Sequence, residues 1–115
     1  MKEFNGEIEY KGKKYKLVFN LNVMEAIQEE YKSLDNWGKL TDGSTGGEPN
    51  AKAVIYGFTQ MLNEGIEIES EETGTEVKPF TLKQVGRMIT EIGLMNAAKE
   101  MNTTVIESSK SDEKN

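Results

Sequence analysis

The side chains that most often carry chemistry at neutral pH are missing, because the 115 residues include no histidine and no cysteine. Their absence removes the usual general base, the usual thiol nucleophile and the commonest zinc ligands. An enzyme built from this chain would have to work with carboxylates or hydroxyls alone, such as Asp35 or Ser33. No catalytic residue, metal ligand or cofactor-binding residue is therefore assigned, and no cofactor is expected.

Three stretches invite a ligand. Thr41 to Asn50 is rich in Gly, Ser and Thr, yet a phosphate-binding loop ends in Gly-Lys-Ser/Thr at a helix start, and here Gly47 is followed by Glu48 and Pro49. Between Glu64 and Glu76 stand six glutamates and no basic residue. A calcium loop spaces its oxygens at alternate positions around a fixed glycine and closes on a bidentate glutamate, which this stretch does not do. It reads instead as a mobile acidic loop or a flimsy hairpin. Lysines 11, 13, 14 and 16 form a basic tip, either a docking point for an acidic partner or the charges that keep an edge strand from aggregating.

Charge narrows the partners. A net charge of −6 with a single arginine, Arg87, argues against nucleic acid, whose binding depends on clustered cations releasing counterions. No run approaches the roughly 18 apolar residues of a membrane span, and Met1 to Glu7 lacks the apolar centre of a signal peptide. A cytoplasmic protein without a membrane partner is expected. With 36% hydrophobic residues against 30% charged, the core should be thin, the kind that a partner often completes.

The elements follow from period and caps. Alternation in Glu7 to Tyr10 and in Tyr15 to Leu21, separated by Lys11-Gly12-Lys13-Lys14, predicts a hairpin over residues 7 to 21. Ile8, Tyr10, Tyr15, Leu17 and Phe19 form its inner face. Asn22 and Glu25 have the spacing of a capping box for a helix reaching Tyr31. Behind Ser33, the spacing of Leu34, Trp37 and Leu40 predicts a short helical turn over one edge of the core. Asn50 caps a broad apolar helix from Ala51 to about Glu64, with Gly65 as its stop. Gly57 inside that helix costs about 1 kcal/mol relative to alanine and so marks a close approach by another element. Thr81 and Gln84 open a third helix, which Gly93 ends or kinks, and a fourth stripe runs from Leu94 to Val105. The expected fold is α+β, mainly α: an N-terminal β-hairpin packed on a small bundle of about four helices. It forms one domain over residues 1 to 107, with a disordered tail over 108 to 115.

Methionine is abundant late in the chain, at Met88, Met95 and Met101. Flexible thioethers suit a surface that repacks on different partners, and they equally suit ordinary core filling. The candidate partner-binding residues are Phe58, Met61, Met88, Ile92, Met95 and Met101.

The order of these parts carries a resemblance. A basic-tipped hairpin runs into Asn-Leu-Asn-Val-Met-Glu-Ala-Ile-Gln-Glu-Glu-Tyr at Asn20 to Tyr31, followed by the Ser-Leu-Asp-Asn-Trp turn at Ser33 to Trp37. A helix then opens behind Glu48-Pro49-Asn50, and Phe80-Thr81-Leu82 starts a final helix pair. Over roughly residues 7 to 107 this resembles the tail assembly chaperones of long-tailed bacteriophages and their prophage remnants. The resemblance implies a non-enzymatic protein that binds the tape measure protein, helps recruit tail tube protein subunits and is shed from the finished particle. Self-association is left open. The alternative is a small structural tail or head-tail connector protein retained in the virion.

Overall fold

A computed structural model describes residues 5–44 and 46–110. Strands β1 (Asn5–Tyr10) and β2 (Lys13–Val18) pair antiparallel, with Ile8 opposite Tyr15 and Tyr10 opposite Lys13. Only Lys11 and Gly12 turn the chain, at φ 53° and 77°. Two successive positive φ values match the twist of the flanking strands, so Lys13 and Lys14 join β2 rather than the turn. Ile8, Leu17 and Phe19 are buried from the inner face, with Tyr10 and Tyr15 half-buried beside them.

Helix α1 (Leu21–Tyr31) starts one residue before the expected cap. Asn20, not Asn22, is the N-cap, its side-chain oxygen accepting the Val23 amide at 3.2 Å. Asn20 and Asn22 both donate through Nδ2 to Glu64 Oε2, at 2.8 and 3.2 Å, so Asn22 serves a tertiary link that sequence spacing does not reveal. Helix α2 (Leu34–Thr41) is capped by Ser33 through the Asn36 amide at 3.0 Å, and it buries Trp37.

Helix α3 (Ala51–Thr73) begins at the Asn50 cap as expected, but it runs straight through Gly65. By the rise of an α-helix its 23 residues reach about 35 Å. Gly65 is a packing position: a Cβ there would stand 2.7 Å from the Lys16 carbonyl oxygen of β2. The acidic run is accordingly helical to Thr73, not a loop or hairpin, since glutamate is a strong helix former and Ile66 keeps one face on the core. Gly74, at φ 73°, makes the left-handed stop.

Helix α4 (Leu82–Ile92) opens with the expected reciprocal capping box: the Gln84 amide donates to Thr81 Oγ1 at 3.1 Å, and the Thr81 amide donates to Gln84 Oε1 at 2.8 Å. After Gly93, α5 (Leu94–Ser109) extends past the expected start of the tail and buries Ser108. Residues 111–115 of the expected tail lie outside the described residues.

The outcome is a mainly helical α+β fold in which α3 touches β2 and each of the other four helices, while β1 leans on α5. Trp37, Phe58, Met61, Leu62, Met88 and Met101 fill its centre. No helix among the described residues is long and apolar enough to cross a membrane.

Candidate partner-binding groove

Four of the six residues expected to meet a partner are core residues instead. Phe58, Met61, Met88 and Met101 are each fully buried, and Ile92 is half-buried against the same core. Their stripes are covered from within the chain by neighbouring elements. Met95 alone is open, at 67% exposure, on the outer side of α5 with Ile106 at 57%. These two border a shallow hollow of about 280 Å³ shared with Pro49 and Ala98.

A larger opening lies between α3 and α4, with a volume of about 680 Å³. Ile55 and Tyr56 from α3 and Leu82 and Gly86 from α4 line it, and Leu82 is 52% exposed. Gly86 keeps the floor low, because a Cβ there would rest at an ordinary 3.6 Å from Ile55 Cδ1 and anything larger would rise into the groove. Lys52, Lys83 and Arg87 border the opening, as does Glu30 of α1. None of the three cations pairs with a carboxylate among the described residues.

Several contacts hold the walls. Asn63 of α3 grips the start of α4: its Oδ1 accepts the Phe80 amide at 2.8 Å and its Nδ2 donates to the Phe80 carbonyl at 2.9 Å. That clamp brings Phe80 edge-on to Tyr15 of the hairpin, with ring centroids 5.6 Å apart. On the far wall, the Tyr56 hydroxyl donates to the Ala26 carbonyl at 3.1 Å, and its ring meets Tyr31 edge-on at 5.8 Å. Burial, then the carboxylates Glu30 and Glu29, push the Tyr56 phenol above its ordinary 10.0. Burial, then Glu30 and Tyr56, do the same to Tyr31.

The polar groups that suggested other chemistry have structural tasks. Ser33 caps α2, and Asp35 pairs with Lys39 one turn away at 3.3 Å on an exposed face. In the glycine-rich loop Asp42 accepts the Ser44 amide at 2.8 Å, which lowers the Asp42 pKa. Among the described residues no three carboxylates converge as a metal site requires. At the hairpin tip Lys11 lies over the Tyr10 ring and Lys13 over the Tyr15 ring, at 5.5 and 5.4 Å from the centroids. Those two lysines engage the hairpin's own aromatic faces.

No family model, curated protein or solved structure matches the chain.

Sequence spacing pointed to the buried stripes and missed the groove. Asn63, Lys52, Lys83 and Arg87 gain their meaning only from the pairing of α3 with α4. The one local signal was Gly86, a glycine inside an otherwise regular helix pattern.

Proposed function

We propose that the chain is a tail assembly chaperone of a long-tailed bacteriophage or prophage. In this reading it acts in the cytoplasm of the bacterial host, without enzymatic activity. It binds the tape measure protein, keeps that long helical chain soluble, helps recruit tail tube subunits, and is absent from the mature virion. The supporting observation is the open, mostly apolar groove of about 680 Å³ between α3 and α4, the kind of surface on which an amphipathic helix docks its apolar stripe. The resemblance in element order supplies the identity of the partner.

The test is coexpression with the tape measure protein of the same phage or prophage, followed by copurification and by mass spectrometry of purified particles. The tape measure protein should stay soluble and copurify only when this chain is present, and the particles should lack the chain. A tape measure protein that is soluble alone and never binds would overturn the reading. Stoichiometric recovery of the chain from finished particles would assign it to the structural tail or connector class instead.

A further inference from the structure

We propose that the α3/α4 groove selects a helix whose apolar stripe is flanked by acidic residues one turn apart. The inference rests on the chaperone reading only for the partner being helical; the charge of that partner comes from the groove itself. Lys83 and Arg87 stand four residues apart on α4, so their side chains project on the same helix face about one turn apart. Lys52 adds a third cation from α3, and all three border a floor made of Ile55, Tyr56, Leu82 and Gly86.

The grouping is informative because the chain as a whole carries a net charge of −6. Three cations without a carboxylate partner among the described residues border this apolar opening, so an acidic occupant meets a local attraction that the overall charge of the chain opposes. From Leu82 to Thr90 the groove wall covers about 12 Å, or roughly two helical turns. An occupant of that length presents anchors at i, i+3 or i+4, and i+7, with carboxylates at an i, i+4 spacing facing Lys83 and Arg87. Glu30, which also lines the opening, disfavours a carboxylate placed beside it.

The experiment uses the full chain and fluorescein-labelled helical peptides of about 14 residues, or four turns. One peptide carries a leucine stripe flanked by glutamates and the other carries lysines in their place. Dodecanoate is added as a competitor, and sedimentation is measured in parallel. Binding is read by anisotropy on the native chain, on the double variant Lys83→Glu with Arg87→Glu, and on Gly86→Leu, with thermal melts to confirm folding. The glutamate peptide should bind on the order of tenfold more tightly than the lysine peptide, and the double variant should invert that order. Gly86→Leu should weaken both peptides by filling the floor; should it fail to fold, the charge-reversed variant decides. Equal affinities, indifference to charge reversal, binding of dodecanoate in preference to peptide, or self-association that charge reversal abolishes would each overturn the proposal.

The coexpression assay separates this inference from the chaperone reading. If the charge-reversed variant still holds the tape measure protein in solution, the groove assignment falls and the chaperone reading stands. If the native chain does not hold it yet prefers the glutamate peptide, the reverse is true.

Discussion

The Nε1–Cε2–Cζ2 edge of the Trp37 indole packs against Gly57: a Cβ added to Gly57 would stand 2.8 Å from Trp37 Cε2, and nearer still to Cζ2. The indole nitrogen donates to the Ala53 carbonyl one turn earlier in α3, at 2.9 Å. Together these contacts fasten α2 to the central helix through one fully enclosed ring. Gly57→Ala should therefore destabilise the fold although alanine is the better helix former. Displacing the ring costs about 1–3 kcal/mol in overpacking, against roughly 1 kcal/mol gained in propensity. Urea denaturation should show a lower midpoint, and a midpoint equal to or above the native one would mean that the ring is not held there.

Two further helix glycines, Gly86 and Gly65, should behave oppositely to each other. At Gly86 a Cβ meets only Ile55 Cδ1, at 3.6 Å, so Gly86→Ala should stabilise by about 0.5–1 kcal/mol through the helix propensity gained. At Gly65 the obstacle is the Lys16 carbonyl oxygen at 2.7 Å, a backbone atom that cannot swing aside. Gly65→Ala should lower the melting temperature and loosen the hairpin, seen as faster amide exchange in β2. If both variants shift stability in the same direction, the close approach of β2 to α3 is not what sets Gly65.

Asn63 gives a third test. Its side chain satisfies both backbone polar groups of Phe80, in the segment where irregular chain after Gly74 returns to the helix pair. Asn63→Ala leaves that amide and carbonyl without their partner and should cost roughly 2 kcal/mol. The Phe80 ring should lose its fixed place against Tyr15, which NMR would register as loss of the ring-current shifts on Tyr15. Asn63→Asp keeps the acceptor for the amide and should recover part of the loss.

What was legible in the sequence was local. The positive-φ turn at Gly12, the Ser33 and Asn50 caps and the Thr81–Gln84 box each depend on residues within four positions of one another, and the structure places all of them as the spacing predicts. Gly65 misled because a helix stop and a close-packed helix glycine look alike until the neighbour is known. That neighbour is Lys16, 49 positions earlier in the chain. Asn22 misled for the same reason, since its role is a bond to Glu64. The methionine stripe could not say which members would be covered. Met101 is sealed in the core while Met95, on the same helix, is open, and only the fold decides which stripe faces a neighbour.

Tyr31 and Tyr56 offer a contrast between two buried hydroxyls. Tyr56 donates to Ala26, whereas the Tyr31 hydroxyl is buried without a hydrogen-bond partner among the described residues. Removing a satisfied donor costs about 1 kcal/mol, while removing an unsatisfied one relieves a desolvation penalty. Tyr56→Phe should thus lower stability at neutral pH and Tyr31→Phe should leave it equal or raised, as read from urea midpoints. The opposite ranking would show that Tyr31 has a partner in solution.

The same pair should make stability fall in alkali. Both phenols are raised above 10.0, chiefly by burial and then by nearby glutamate charge, so the folded chain keeps their protons at a pH where the unfolded chain releases them. Unfolding then liberates protons, and raising the pH favours the unfolded state. The contribution is intact below about pH 10, the unfolded value, and is lost as the pH climbs through the folded values. Melting temperatures taken from pH 8 to 11 should decline more steeply for the native chain than for the double variant Tyr31→Phe with Tyr56→Phe, which lacks these two phenols. Parallel declines would mean that the two phenols ionise in the folded chain as readily as in the unfolded one, and that the tyrosine wall between α1 and α3 admits water.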